Sequence, residues 1–457
     1  MKKIVFFLLG MFLISYTYGQ TAPAAYWVQF TDKNYNPFNL TRPLEFLSQR
    51  ALDRRTKQGI TLAENDLPVS PSYLDSLQNM GTRVMFTSKW QNAATVFSAD
   101  TNFIADALKI SVVKNVIRIL PPGIGTLQTS QNMLLATSSY SQTDYGPSFD
   151  QINIHHGEVL HQEGYQGQGM IIGLLDAGFY HVDSLVVFQK LRSRNGILAV
   201  HNFISGNDSV YLLDAHGMMV LSIMAGNLPG KLIGTAPEAD YILYRTENAN
   251  SEFVAEEAAW AAGMEALDSA GVDVVNSSLG YTQFDDPTQN HTYVDMDGHT
   301  TICSKEASLC ASKGIILSSS AGNNGTKTWY YISAPSDAEN ILTIGAVGHD
   351  HVLAGYSSRG PTYDGRIKPD VMGIGYQTTV AATVDGQVLG GNGTSFSSPA
   401  VAGLVTCLWQ EFPDKTSYEI MDAVKRSSDR YTHPDDDFGY GIPDFFTGTT
   451  DFAGYRS

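Results

Sequence analysis

The second half of the chain alternates short apolar runs with helical patterns, and this order limits the possible folds more than any other feature. Five apolar runs, mostly continuous, predict strands at residues 170–175, 241–244, 272–275, 315–317 and 341–347. Helices are predicted at residues 218–225, 254–270, 300–313 and 400–409. Continuous apolar strands are typical of a parallel sheet that is covered on both faces. The sequence therefore predicts an α/β, doubly wound fold with a mostly parallel sheet and helices on both faces.

Charge divides the chain at a stretch of small polar residues. Residues 20–122 hold 11 Lys and Arg against 8 Asp and Glu, whereas residues 123–457 hold 16 against 38, so the two parts carry +3 and −22. Residues 123–148 are rich in Ser, Thr, Gln and Gly, which is the composition of a linker. We therefore expect a small basic α+β module at 20–122 and a large acidic module at 149–457. In the small module the pattern predicts strands at 26–30, 82–86 and 116–120 and a helix at 44–57.

The N-terminus has the parts of a secretory signal. Lys2 and Lys3 precede an apolar run at residues 4–14, and residues 17–19 read Thr-Tyr-Gly, with small residues at both ends. The run is too short for a membrane span, which needs about 20 residues. A buried N-terminal strand is the alternative, but the two lysines favour export. We expect residues 1–19 to be removed and the mature protein to be secreted or periplasmic.

Composition excludes several classes of protein. Hydrophobic residues make up 43% of the 457 residues, which is enough for a large core and excludes global disorder. The formal net charge of −17 argues against a nucleic-acid backbone or an anionic membrane as the main partner. Cys303 and Cys310 lie about 10 Å apart along one predicted helix, too far for a disulfide. With Cys407 we therefore expect three buried thiols.

Polar residues follow three of the predicted strands. Asp176 follows the run at 170–175, residues 276–280 read Asn-Ser-Ser-Leu-Gly after the next run, and Asn323 comes after the run at 315–317. Ligands of parallel sheets bind at the carboxyl ends of the strands. Taken singly, Asp176 could cap a turn and Asn323 could be only a turn residue. Their coincidence at one edge of the sheet favours a functional site.

Two more segments supply a base and a nucleophile. His216 opens a predicted helix, and Ser395 lies in Gly-Thr-Ser-Phe-Ser-Ser-Pro at 393–399, before another helix. A surface histidine and an N-cap serine are the structural alternatives. Asp176, His216 and Ser395 are the acid, base and nucleophile of a catalytic triad, in one of its three known chain orders. The N–H of Ser395 at a helix start, with the amide of Asn323, would stabilise an oxyanion.

Over residues from about 150 to 445, the sequence resembles the subtilisin-like serine peptidases. The matching stretches are Gly-Leu-Leu-Asp-Ala-Gly at 173–178, His-Gly at 216–217, Ala-Gly at 225–226, Asn-Ser-Ser-Leu-Gly at 276–280, Ser-Ala-Gly-Asn-Asn-Gly at 320–325, Tyr-Ser-Ser-Arg-Gly-Pro at 356–361, Lys-Pro-Asp at 368–370 and Gly-Thr-Ser-Phe-Ser-Ser-Pro at 393–399. Their order and spacing make the match specific. The chain departs from the family pattern at Phe179, Met218 and Met219, which lie near the expected site.

The resemblance implies a role for each matching residue. It makes Asp176 the orienting acid, His216 the general base and Ser395 the nucleophile. It makes Asn323 the oxyanion donor beside the Ser395 N–H. It also implies that an extended substrate chain lies between two backbone segments, Ser278-Leu279-Gly280 and Ala321-Gly322, as an added strand.

The function that the resemblance implies is that of an exported serine endopeptidase, acting through an acyl-enzyme. The small module would be an N-terminal prosegment that acts as intramolecular inhibitor or chaperone, and its charge of +3 against −22 would favour its docking on the large module. It would be cut off within residues 123–148. A permanent accessory domain is the alternative for this module. For the whole protein the alternative is a catalytically silent fold that binds peptides or serves as a scaffold.

No cofactor is needed for this chemistry, and calcium is the one metal that the resemblance suggests. Residues 295–298 read Asp-Met-Asp-Gly, half of a calcium loop without its third acidic position or its distant Glu. The acidic run at 435–437 is more typical of a solvated turn. Calcium ligands are therefore not assigned.

Overall fold

The structure is a computed structural model that describes residues 23–122 and 142–448. The predicted signal peptide at 1–19 and the linker residues 123–141 lie outside the described residues.

The small module is a four-stranded antiparallel sheet with helices, in the order β2-β3-β1-β4. Its elements are β1 (Ala24–Phe30), α1 (Gln49–Lys57), α2 (Pro71–Gln78), β2 (Arg83–Ser88), β3 (Ala93–Ser98), α3 (Phe103–Ala107) and β4 (Val113–Leu120). The predicted helix at 44–57 is shorter in the structure, because the Ser48 hydroxyl accepts the N–H of Ala51 and so starts α1 at Gln49. A 3₁₀ turn, Pro43–Glu45, precedes it.

The large module is built on a seven-stranded sheet in the order β13-β12-β11-β10-β5-β9-β6, with every neighbouring pair parallel. Its strands are β5 (Ile171–Asp176), β6 (Ile197–Asn202), β7 (Asn227–Leu228), β8 (Leu232–Ile233), β9 (Asp240–Arg245), β10 (Val274–Ser277), β11 (Ile316–Ser320), β12 (Leu342–Val347), β13 (Val371–Ile374), β14 (Thr378–Ala381) and β15 (Val388–Gly391). Its helices are α4 (Gln142–Tyr145), α5 (Phe149–Asn153), α6 (Glu158–Gln162), α7 (Gln189–Ser193), α8 (His216–Ala225), α9 (Val254–Ala270), α10 (Ile302–Cys310), α11 (Thr394–Glu411) and α12 (Ser417–Arg426).

Helices cover both faces of this sheet, which confirms the predicted fold class. Side chains of β5 alternate between two hydrophobic clusters, with Ile172 and Leu174 in the cluster that contains α8 and α11. Ile171 and Leu175 belong to the cluster that contains α9 and α10. The five predicted strands form with shifts of one to three residues, and the two outermost strands, β6 and β13, were not predicted. Cys303, Cys310 and Cys407 are buried free thiols, as predicted.

The sheet of the small module lies on α9 and α10. Trp27 and Ile119 of its strands pack against Ala258 and Ala261 of α9 and against Ile302. Trp90, between β2 and β3, is buried in a hydrophobic cluster otherwise formed by the large module. The two modules therefore share apolar core.

Charged groups surround this apolar contact. The buried carboxylate of Asp268 on α9 is bound by Arg54 at 2.5 Å, by Arg55 at 2.9 Å and by Lys89 at 2.7 Å. Its neighbour Glu265 accepts the Ser88 hydroxyl and the backbone N–H groups of Lys89 and Trp90. The basic small module is thus paired with acidic residues of the large one, as the opposite charges predicted.

The last residues of the predicted linker, 142–148, form α4 and a 3₁₀ turn. Tyr145 is buried with its hydroxyl 2.7 Å from Nδ1 of His161, and the Ser148 hydroxyl donates to the backbone oxygen of Ile233. Both residues therefore contact the large module. None of the helices in the described part of the chain has both the length and the hydropathy that a bilayer crossing requires.

Candidate active site

The buried Asp176 and the half-buried His216 form an acid–base pair at the carboxyl edge of the sheet. Asp176 is the last residue of β5 and is fully buried. Its Oδ1 lies 2.8 Å from Nδ1 of His216 and also accepts the N–H of Ala177. Because a carboxylate can only accept, Nδ1 of His216 carries a proton, and Nε2 is the acceptor in the neutral form of the ring.

A hydrogen bond to Asp214 and the small residue Gly217 favour the start of α8 at His216. The carboxylate of Asp214 accepts the His216 N–H at 2.7 Å, which satisfies one of the free donors at the start of α8. Gly217 then lets the helix approach β5, since a Cβ at this position would lie 2.8 Å from the Cβ of Asp176. The ring of His216 faces that of Phe396, with centroids 5.9 Å apart.

The environment makes His216 a stronger base than a free imidazole. Burial alone would lower its pKa, but the Asp176 carboxylate outweighs burial and raises the pKa to about 9, with smaller contributions from Glu247 and Asp214. With this raised pKa, the imidazole of His216 binds a proton more tightly than a free imidazole does.

Ser395 lies in the first turn of α11, which begins one residue earlier at Thr394. Gly393 is the N-cap, so the alternative role of Ser395 as the N-cap is wrong. The helix also starts earlier than predicted, which places Pro399 inside it. The Ser395 hydroxyl donates to the backbone oxygen of Ser278 at 3.2 Å. In return, the Ser278 hydroxyl donates to the backbone oxygen of Ser395 at 2.9 Å. No hydrogen bond joins Ser395 to His216 among the described residues.

Two unused donors lie beside Ser395. The side-chain oxygen of Asn323 accepts the Thr394 N–H at 2.9 Å, which orients the amide and leaves its Nδ2 free. The N–H of Ser395 also makes no hydrogen bond within the described chain. A Cβ built on Gly393 would lie 3.5 Å from Nδ2 of Asn323 and 3.7 Å from the Ser395 N. The two donors therefore reach a common point, which a side chain at position 393 would crowd.

The two predicted substrate segments follow neighbouring parallel strands but differ in what they offer. Residues 278–280 follow β10, and the backbone groups of Leu279 and Gly280 make no hydrogen bond within the described residues. In contrast, Ala321 donates to Ile344 and Gly322 donates to the Thr394 hydroxyl. Only the first segment has N–H groups left to pair with another chain.

The three departures from the family pattern are packing residues. Phe179 and Met218 are fully buried in the hydrophobic cluster on the α8 side of the sheet, and Met219 packs against its edge. They shape the core beneath the site.

The carboxylates of residues 295–298, the loop considered for calcium, form local hydrogen bonds. Asp295 accepts the N–H and hydroxyl of Thr292, and Asp297 binds the backbone and hydroxyl of Thr300. Residues 23–122 and 142–448 contain no group of three His, Cys, Asp or Glu side chains arranged to hold a metal ion.

Sequence reasoning missed Glu247, which lies beside His216. It comes two residues after β9 ends at Arg245, at the same edge of the sheet as Asp176. Burial and the neighbouring carboxylates of Glu252 and Asp176 raise the pKa of Glu247 to about 8. The rule that found Asp176, a polar residue just after a strand, would have found Glu247 too.

Two family models match the chain. The model of the subtilase family, Peptidase S8, matches residues 167–441, and that of the Peptidase S8 propeptide domain of Bacteroidota matches residues 25–132.

Relatives and a solved structure are similar to the chain over 62–70% of its length. Serine protease AprX of Bacillus subtilis is 25% identical over 311 residues, 62% of this chain and 65% of that protein. Subtilisin E of the same species is 26% identical over 287 residues, 62% of this chain and 66% of that protein. The chain therefore matches slightly less than two thirds of each. The crystal structure of MycP1 from the ESX-1 type VII secretion system has a TM-score of 0.52 at 20% identity, covering 70% of this chain and 88% of that one. It is similar in fold.

Proposed function

The chain belongs to the subtilase family, and on that premise we propose that it is an exported serine endopeptidase with Asp176, His216 and Ser395 as its triad. The observation that carries the proposal is the 2.8 Å hydrogen bond between Asp176 and His216, at the sheet edge where Ser395 opens α11 beside two unused donors. An acid, a base and a nucleophile with an oxyanion site are the groups that acyl transfer requires.

The reaction begins with His216. Its Nε2 takes the proton of the Ser395 hydroxyl as that oxygen attacks the peptide carbonyl carbon. In the structure the hydroxyl is bound to the Ser278 oxygen, so Ser395 must rotate toward the imidazole when substrate is present. Asp176 stabilises the imidazolium that forms.

The carbonyl oxygen of the substrate becomes negative in the tetrahedral intermediate. Nδ2 of Asn323 and the N–H of Ser395 donate to it, and the start of α11 adds a favourable field. His216 then protonates the leaving amine, and the acyl group stays on Ser395. Water, activated by the same imidazole, releases the acid.

The substrate chain would pair with Leu279 and Gly280. Their free N–H and C=O groups provide main-chain hydrogen bonds to an extended peptide whatever its side chains. Ala321 and Gly322, whose N–H groups are already bonded, would form the opposing wall of the cleft.

The small module would be a prosegment that is removed by the enzyme itself. The propeptide match at residues 25–132 and the ion pairs at Asp268 support this role. The cut would fall between the two described parts of the chain, at residues 123–141. Export to the periplasm or the medium would follow from the signal-like residues 1–19. Calcium is not needed for the chemistry proposed.

The alternative is a catalytically silent protein that binds peptides. The retention of all four chemical groups speaks against it, since a decayed site loses at least one. Peptide binding without catalysis would need only residues 279–280, whereas the hydrogen-bonded Asp176–His216 pair would serve proton transfer.

The proposal is tested by the intact masses of the wild type and of Ser395→Ala after identical expression. We expect the wild type to lose about 12–14 kDa, the size of a small module, and the variant to stay whole. Labelling by a fluorophosphonate, which requires an activated serine, should occur only in the wild type. An unlabelled wild type would contradict the peptidase function, and active enzyme that begins at Gln20 would contradict processing.

A further inference from the structure

A pocket of about 530 Å³ opens beside His216. One wall is formed by residues 278–280, the segment with free backbone groups, and another by residues 247 and 249–252, which follow β9. Because the same pocket touches the proposed base and the proposed substrate strand, a side chain of a bound peptide would enter it close to the scissile bond.

The walls of this pocket are acidic. Asp214, Glu247, Glu252 and Asp285 line it, and no Lys or Arg among the described residues does so. The guanidinium of Arg245 interacts electrostatically with Glu247 and Asp214, but its hydrogen bonds go to the oxygens of Ala177, Asn202 and Asn248.

Two acidic groups at the pocket lack a hydrogen-bond partner in the described chain. Glu247 is half-buried and makes no hydrogen bond or ion pair there, and Oε1 of Glu252 is buried without a hydrogen bond. Leaving buried polar groups unpaired is unfavourable, so a ligand that pairs with them gains that free energy on binding.

The carboxylates resist ionisation in the empty pocket. Burial, with the repulsion of neighbouring carboxylates, raises the pKa of Glu247 to about 8, of Glu252 to about 7 and of the adjacent Glu256 to about 10. A bound cation would favour the ionised forms and would release protons.

We propose that this pocket binds the cationic side chain of a lysine or arginine in the substrate, so that the enzyme prefers basic peptides. The inference rests on the proposed peptidase function and adds the substrate class. A lysine or arginine stem can pack against Leu279 while its head pairs with Glu247 and Glu252. Residues 123–141, where the prosegment would be cut, contain no Lys or Arg, so the basic substrate would be a peptide other than this segment.

The test uses internally quenched alanine octapeptides with one lysine at each position in turn, each paired with a peptide that has norleucine there. Norleucine keeps the aliphatic stem and removes the charge. We expect kcat/KM of the wild type to be at least tenfold higher for lysine than for norleucine at one position. In the double variant Glu247→Gln, Glu252→Gln this ratio should fall below threefold. The exposed Glu163, outside the pocket, supplies the control variant Glu163→Gln, which should keep the ratio.

The outcomes separate this inference from the function on which it rests. Turnover with a ratio near one at every position would overturn the inference and leave the peptidase function intact. Absence of turnover for every peptide would contradict the function. In that case the binding of uncleavable product peptides to the wild type tests the pocket, and equal or absent binding of the lysine and norleucine peptides overturns the inference.

Discussion

The carboxylate of Asp268 lies 2.5 Å from the guanidinium of Arg54, although 214 residues separate them, and both side chains are almost fully buried. The pair joins α9 of the large module to α1 of the small one. A buried charge that loses its partner is strongly unfavourable, whereas the same loss at a solvated surface matters little. This contrast makes the module contact testable.

Replacing Asp268 by Asn should destabilise the unprocessed protein by about 3–5 kcal/mol, because Arg54, Arg55 and Lys89 would stay buried with reduced compensation. Chemical denaturation of the Ser395→Ala background, which remains uncut in our proposal, measures the change. Asp286→Asn is the matched control: Asp286 also pairs with the small module, through Arg118 at 3.4 Å, but Arg118 is exposed and Asp286 is only half-buried. Equal midpoints for the two variants would contradict the role of Asp268.

The activity should rise with pH through about pH 9. The pKa of His216 is raised to about 9, and only the neutral imidazole accepts the serine proton. The profile of kcat/KM between pH 6 and pH 11 checks this, and a plateau reached by pH 7.5 would refute it. The same shift stabilises the fold below the unfolded pKa of about 6.5, and this stabilisation is lost as the pH rises through 9.

Asp176→Asn should lower kcat by about 10⁴, because the imidazole loses its orienting acceptor.

Asn323→Ala should lower kcat by about 10²–10³ with little change in KM, since Nδ2 of Asn323 acts on the oxyanion and not on the bound substrate. The neighbouring Asn324→Ala is a control, because Nδ2 of Asn324 donates to the Ser333 hydroxyl. Steady-state kinetics on one peptide compare the two. A loss below threefold for Asn323→Ala would reject the assignment.

Glu306→Gln should stabilise the unprocessed protein at pH 8. Burial, followed by the nearby Glu265 carboxylate, holds the pKa of the fully buried Glu306 well above its usual range. The folded state must therefore keep a proton there, and the stability present below pH 4.5 is lost as the pH rises toward the folded pKa. Glutamine mimics the protonated acid and still bonds Gln91, so thermal unfolding should depend less on pH. An unchanged pH dependence would contradict this expectation, and Glu163→Gln should leave it as it is.

The placement of Asp176 and Asn323 at one edge of the sheet could be predicted from the sequence, because each comes after an apolar run. Asp176 ends β5, and Asn323 comes soon after β11, so the carboxyl edge of a parallel sheet brings them together. The α/β fold class was predicted from the same apolar runs. The two outermost strands were not predicted from the sequence. β6 has exposed residues such as Leu198, and β13 is short, with four residues.

Other features depend on contacts that no local pattern contains. The orientation of the Asn323 amide is set by the N–H of Thr394, and the hydroxyl of Ser395 is turned toward Ser278. Asp268 lies on an ordinary helical pattern, and its cationic partners come from a distant part of the chain. The opposite net charges predicted that the two modules attract each other, but they did not predict which residues form the centre of the contact.

The burial of Trp90 of the small module in the core of the large one bears on what happens after a cut in the linker. While the chain is intact, the two modules meet at an effective concentration fixed by the tether, and cleavage turns the same contact into an association between separate molecules. Release of the cut module would then depend on dilution. At high protein concentration the enzyme would stay occupied, and spreading into a larger volume would set it free.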